Sequence, residues 1–390
     1  MPIYLDHAAT TPIRPQVLAT YLDALQGVGN PSSVHKFGQD ARNALEAARE
    51  SLARSVGANR SEVIFTSGGT ESDNLAVKGL YWQRNAEDSN RKVIITAGTE
   101  HHGVLDPIYW MVDHQGAEVV MVPVDSRGVF DLDWLGAFLA ANGARVALIS
   151  LMWVNNETGV IADIPAITAV AAEFGIPVHT DAVAAFGHTP IDFAASGLAA
   201  MSISGHKIGG PVGSGALIVG RTVKLTSLVH GGGQERGMRS GTMDAAGAQA
   251  FALAAELALA ELPREQTRLA ELGERLVAGV KTIAPDAVLS RGDAPGLAAT
   301  VHFTFAGCSA DSMIFLLDAA GVSVSAGSAC TAGVNRPSHV LLAMGRSEDE
   351  ATGALRITLG YTTTAADIDK FLEAFPSVHA SAKKAGLPSK

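Results

Sequence analysis

Cysteine is scarce: only Cys308 and Cys330 occur in 390 residues, too few for a disulfide framework, so both read as free thiols. Basic charge is also in short supply. With 29 Lys and Arg against 39 Asp and Glu the formal charge is -10, which argues against a protein whose main task is gripping nucleic acid, since phosphate neutralisation needs a basic face. A composition of 47% apolar and 17% charged residues excludes a disordered or collagen-like chain. The most apolar candidate for a membrane span, residues 245–262, is interrupted by Gln249, Glu256 and Glu261 and dominated by alanine, and it reads as a soluble helix. The opening Met1-Pro2-Ile3-Tyr4-Leu5-Asp6-His7 has no basic segment followed by an apolar core, so it is no secretory signal. These absences predict a cytoplasmic protein with no membrane and no direct nucleic-acid partner.

What the chain does have is alternation. Short β-rich runs at residues 62–66, 92–96, 118–122, 146–151, 177–180, 201–204 and 216–219 recur between helical patterns. The expected fold class is therefore α/β, a large domain with a mostly parallel sheet flanked by helices. In such sheets ligands bind beyond the carboxyl ends of the strands. Pro263 breaks the alanine-rich helix in this reading. After it, Leu269, Leu272, Leu276, Val280 and Ile283 repeat at helical spacing. Strands at residues 301–305, 322–324 and 355–358, a helix from Ala310 and a final helix with a Thr364/Asp367 capping box predict a smaller α+β domain. The expected division is a segment 1–15 packing with the small domain, a large domain 16–262 and a small domain 263–390.

Lys207 is the most informative single residue. It ends Ser202-Ile203-Ser204-Gly205-His206-Lys207, while Asp181 closes the apolar run at residues 176–181. A lysine and an aspartate delivered at two strand ends suit pyridoxal phosphate: the amine joins the aldehyde, and the carboxylate keeps the pyridine nitrogen protonated so the ring can accept electrons. Phe65-Thr66-Ser67-Gly68-Gly69-Thr70-Glu71 reads as a strand, a glycine turn and a helix start, with Thr70 as N-cap over Asp73. Free N–H groups there, with the hydroxyls of Ser67 and Thr70, make a phosphate cradle. No Walker lysine follows, which disfavours a nucleoside triphosphatase. His101 in Thr99-Glu100-His101-His102 lies near the same sheet edge, where it can stack on a cofactor ring and move protons. Adjacent histidines cannot share one face, and no metal is expected. Cys330 sits among small residues at 325–333, a setting that favours an exposed, reactive thiol. Cys308 has no supporting motif.

Ten segments in collinear order carry a resemblance that covers nearly the whole chain. Among them are Tyr4-Leu5-Asp6-His7-Ala8-Ala9-Thr10-Thr11-Pro12, Thr99-Glu100-His101, Asn155-Asn156-Glu157-Thr158-Gly159, Ser204-Gly205-His206-Lys207, Gly231-Gly232-Gly233-Gln234-Glu235-Arg236, Arg239-Ser240-Gly241-Thr242, Ser328-Ala329-Cys330-Thr331 and Leu355-Arg356. Together they resemble the cysteine desulfurases of the NifS/IscS type, fold-type-I pyridoxal phosphate enzymes of the class V aminotransferase group. The resemblance implies that Lys207 binds the cofactor covalently, Asp181 partners its ring nitrogen and His101 stacks on the ring as acid/base. It implies phosphate contacts from Gly69, Thr70, Ser204 and His206, with Thr242 supplied across the interface of a homodimer. Asn156 and Arg356 match the residues that hold the substrate carboxylate, and Cys330 matches the sulfur-accepting nucleophile.

One position departs from that pattern. In Asp181-Ala182-Val183-Ala184, alanine stands where the family usually has a glutamine whose amide donates to the cofactor's phenolic oxygen. Ala184 cannot donate. The activity implied is L-cysteine desulfuration, giving L-alanine and a persulfide on Cys330 that passes to a sulfur-acceptor protein, such as an iron-sulfur scaffold or a tRNA-thiolation enzyme. The alternatives are a selenocysteine lyase or another carbon-sulfur lyase on the same cofactor, and a noncatalytic scaffold paralogue.

Overall fold

A computed structural model describes residues 2–327 and 337–385. Seven strands, starting at Val63, Gly215, Ala200, Val178, Val146, Val93 and Glu118, lie side by side in that order. All neighbours run parallel except Gly215–Val219, which is antiparallel to both Val63–Thr66 and Ala200–Ser204. The two faces follow from the period of two along a strand. Val63, Val93, Ile95 and Ile149 pack into one core with the helices Leu132–Asn142 and Ile164–Ala172, while Ile64, Ile94, Leu148 and Leu217 pack into a second with Gly69–Glu87 and His102–Gln115. Helices thus cover both faces, as expected of strands that are apolar throughout.

A further core gathers around the antiparallel strands Thr300–Thr304 and Ala354–Thr358, with Val288–Leu289 on the outer edge. It includes Phe303, Phe305, Phe371 and Phe375, and also Ile3 and Leu5 from the start of the chain. Ile3–Tyr4 pairs in parallel with Val322–Ser323. Neither Ile3–Tyr4 nor Val288–Leu289 is legible in the sequence, because a two-residue strand shows no period. The Thr364/Asp367 box forms reciprocally, Thr364 N–H donating to Asp367 Oδ2 at 2.8 Å and Asp367 N–H to Thr364 Oγ1 at 3.4 Å.

Pro263 does not break its helix. Ala245–Ile283 is one helix of 39 residues with the proline inside. A proline in a helix interior removes one hydrogen bond and costs about 3 kcal/mol. Burial at both ends offsets that loss: Ala250, Phe251, Ala254 and Ala255 sit in the core beneath the large sheet, and Leu269, Leu272, Leu276 and Val280 in the core beneath the small one. By length and composition this helix is apolar enough to cross a membrane, yet 56% of its most apolar stretch is buried inside the protein.

Candidate active site

The carboxyl ends of the parallel strands open on a cavity of about 350 Å³, within the range of small-molecule sites. Gly69, Thr70, His101, Asn156, Asp181, Ser204, His206, Lys207 and Arg356 all line it. Thr242 is exposed and is not part of the lining. Cys330 lies outside the described residues.

Asp181 is the last residue of the strand Val178–Asp181, and its Oδ1 accepts from the Val183 N–H at 2.8 Å. Burial pushes this carboxyl upward in pKa, opposed by His101, the Val183 N–H and Lys207. Lys207 follows the end of Ala200–Ser204, and its Nζ donates to the carbonyls of Ala8 and Ala9. The opening segment is thereby drawn to the cavity wall by the amine itself. His101 caps the helix His102–Gln115, its Nδ1 accepting from the Gly103 N–H at 2.9 Å. With Nδ1 occupied as an acceptor, a neutral ring carries its proton on Nε2. Burial lowers the pKa of this imidazole, against the pull of Asp181 and with that of Lys207.

The glycine turn differs in detail from its sequence reading. The helix starts at Gly69 with Gly68 as N-cap, so Thr70 lies within the first turn and makes no cap. Two glycines let the chain enter the helix one residue earlier, and Thr70 is left to line the cavity. Gly215 makes this turn possible, since a Cβ there would fall 2.5 Å from Gly68 Cα. Ser67 is exposed, and its N–H donates to Glu71 Oε2 at 2.8 Å; it does not line the cavity. Ser204 is buried, its hydroxyl donating to the Ser214 carbonyl at 3.4 Å. His206 Nδ1 lies 3.2 Å from Thr10 Oγ1, and burial followed by the Lys207 charge lowers its pKa to about 4.

On the opposite wall Arg356 is buried in the strand Ala354–Thr358. Its Nη2 donates to Asp6 Oδ1 and its Nη1 to the Asn156 carbonyl, both at 2.9 Å. Asn156 Oδ1 and Arg356 Nε make no hydrogen bond among the described residues. Buried polar groups are ordinarily satisfied, so this wall is shaped for a polar guest.

Three residues of the site carry chemistry that the sequence did not assign to them. Asp73, Glu100 and His188 are drawn in by folding: Asp73 and His188 line the cavity, and Glu100 is buried behind it with Oε1 accepting from the Met152 N–H at 2.7 Å. Burial and then the Asp181 charge raise Asp73 well above the carboxylate range, and burial does the same to Glu100. One oxygen each of Asp73 and Asp181 and one ring nitrogen of His101 lie within 4.8 Å of one another, so by distance alone the three could share a cation. The wider set fits pyridoxal phosphate: an amine for the aldehyde, a buried carboxylate for the ring nitrogen, an imidazole beside them, and a helix N-terminus with Ser204 and His206 for the phosphate.

Comparison with known proteins agrees with this geometry. The family model described as aminotransferase class-V matches residues 3–371. The chain is 49% identical over 385 residues to the IscS-like cysteine desulfurase of Mycobacterium tuberculosis, covering 98% of each chain. The crystal structure of the NifS-like protein from Rickettsia africae superposes with a TM-score of 0.87 at 32% identity, covering 97% of this chain and all of that one. A structure described as SspA in complex with cysteine superposes with a TM-score of 0.79 at 35% identity, covering 91% of this chain and 98% of that one.

Proposed function

The chain belongs to the class-V aminotransferase family, and from that premise we propose that it is a pyridoxal-phosphate-dependent L-cysteine desulfurase. The observation that carries the reading is the meeting of Lys207, Asp181, His101 and Arg356 around one cavity. The similarity to relatives that bear the desulfurase name along their whole length supports it.

Lys207 would hold the cofactor's aldehyde, Asp181 its ring nitrogen, and Gly69, Thr70, Ser204 and His206 its phosphate. When bound, the cofactor withdraws electrons from an attached amino acid. The residues of the chain do the rest. Arg356, with Asn156 beside it, binds the carboxylate of L-cysteine, a task for which a guanidinium fork is suited. Once the substrate amine has taken its place, the freed Lys207 amine would take the Cα proton, and His101, holding its own proton on Nε2, would supply one as the carbon-sulfur bond breaks. The Cys330 thiolate attacks the substrate sulfur, forming a sulfur-sulfur bond while the carbon-sulfur pair of electrons stays with Cβ. Protonation of that carbon, with return of a proton to Cα from Lys207, would give alanine, and Cys330 would be left as a persulfide.

The same reading extends to partners and place. A homodimer is supported by the exposed position of Thr242 away from this chain's own cavity, as a ligand delivered to a second copy would stand. Exposed Leu18, Leu22 and Leu25 on the helix Pro15–Leu25 give such a copy an apolar surface. The persulfide would pass to an acceptor protein in iron-sulfur cluster assembly or another sulfur-transfer route, in the cytoplasm. Placing residues 1–15 with the small domain is supported by Ile3 and Leu5 packing with Phe303 and Phe371, and the division into 16–262 and 263–390 by Phe251 and Ala258 of the long helix lying in one core and Leu269 and Leu276 in the other.

Incubation with L-cysteine followed by mass spectrometry tests the activity. Cys330 is expected to gain one sulfur atom as alanine appears. Alanine formation that continues unchanged in Cys330→Ser would overturn the protein persulfide.

A further inference from the structure

Asp73 is a buried group of the cavity wall for which the proposed chemistry has no use. It sits in the helix Gly69–Glu87 at 1% exposure, lines the cavity, and leaves Oδ1 without a hydrogen-bond partner among the described residues. The titratable groups around it come from every neighbouring element. The strand Val178–Asp181 brings Asp181 and His179, whose Nε2 is 3.7 Å from Asp73 Oδ1, and the segment before the helix His102–Gln115 brings Glu100 and His101. The strand Ala200–Ser204 contributes the Ser202 hydroxyl, which also lies 3.0 Å from His179 Nε2. His179 reaches Ser150 Oγ through Nδ1 at 2.9 Å, and burial holds it neutral by lowering its pKa to about 3.

Among the described residues no cation compensates Asp73, whereas Asp181 has the Val183 N–H, His101 and Lys207 on its side. Two buried carboxyls at this separation do not both ionise. The division of one charge between them is therefore unequal by construction.

We propose that Asp73 is held as a neutral carboxylic acid, a positioning residue that keeps the cavity's negative charge on Asp181. For the cofactor this rests on the function proposed above. A second charge at Asp73 would raise the proton affinity of Asp181 and weaken its pairing with a protonated ring nitrogen. The protonation claim itself concerns the protein alone.

The test uses Asp73→Asn, whose amide is the uncharged isostere of the proposed state, and begins with the cofactor-free protein in EDTA. A carboxyl that keeps its proton when folded and loses it when unfolded makes the folded state less stable as pH rises from the unfolded value. The folding constant of Asp73→Asn relative to the parent is thus expected to rise with pH, approaching about tenfold per unit from pH 5 upward until the folded Asp73 itself ionises. A ratio that stays flat or falls, or an Asp73→Asn chain that fails to fold, overturns the proposal, whether or not the protein uses pyridoxal phosphate. Absorbance titration with pyridoxal phosphate tests the positioning role: the amide is as uncharged as the proposed acid, so Asp73→Asn is expected to bind the cofactor as tightly as the parent at every pH where the parent is folded. A loss of about tenfold or more, the size of one hydrogen bond to a charged group, would remove that role.

Discussion

The two cores that the long helix joins are built on opposite terms. Beneath the small sheet, Phe305 and Phe371 both stand against Phe375, with ring centroids 5.4 and 5.2 Å from it, in a cluster of buried apolar side chains that the half-buried His379 ring flanks 5.8 Å from Phe375. At the carboxyl ends of the large sheet, Asp73, Glu100, His179 and Asp181 are buried within a few residues of one another in space, and Asp73 Oδ1, Glu100 Oε2 and Thr180 Oγ1 lack partners among the described residues. The first region holds the fold together. The second gives up hydrogen bonds at one edge of an otherwise apolar sheet, which is what a preorganised binding site requires.

Substitutions sharpen that contrast when each is read by both turnover and stability. Lys207→Ala is expected to have the largest effect, abolishing the visible chromophore and lowering turnover of L-cysteine by roughly 1000-fold or more, as removal of a covalent catalytic group does. Its melting temperature without cofactor should stay near that of the parent. Phe375→Ala reverses the pattern: calorimetry or denaturant titration should show a loss of about 3–5 kcal/mol for a buried ring, with cofactor absorbance retained in the molecules that remain folded. If Phe375→Ala erased the chromophore in fully folded protein, the two regions would not be separable.

Arg356→Lys comes next. Losing a guanidinium fork that also grips Asp6 and the Asn156 carbonyl is worth about 1.5–3 kcal/mol, so steady-state kinetics should show KM for L-cysteine rising by roughly 10- to 100-fold. Ala184→Gln is the smallest change. Ala184 lines the cavity, and a glutamine amide there would add one neutral hydrogen bond of about 0.5–1.5 kcal/mol. The visible band should shift and turnover should rise by about two- to tenfold, whereas an unchanged spectrum and rate would mean that the alanine costs this chain nothing.

The strand ends are legible in the sequence because the same local signal, an apolar run closed by a polar residue, marks both a strand and the tip that meets the cavity. Asp181, Lys207 and the strand-to-helix turn at Gly68 and Gly69 are of this kind. Arg356 is legible through its motif, but its pairing with Asp6, 350 positions away, leaves no trace in any window of sequence. Asp73 was read only as the third residue of a cap that does not form, since its meaning depends on Asp181 arriving from a different strand. Pro263 shows the complementary case: the local rule for helix ends is outweighed by two cores that each hold one half of the same helix.

The central claim is that the Lys207 amine carries pyridoxal phosphate in the cavity above Asp181. Reduction of the cofactor-loaded protein with borohydride, followed by peptide mass spectrometry, addresses it directly. The account predicts a stable pyridoxyl-phosphate adduct on the peptide containing Lys207, and none there in Lys207→Ala. A protein that stays colourless when saturated with pyridoxal phosphate, or an adduct only on other lysines, would contradict it.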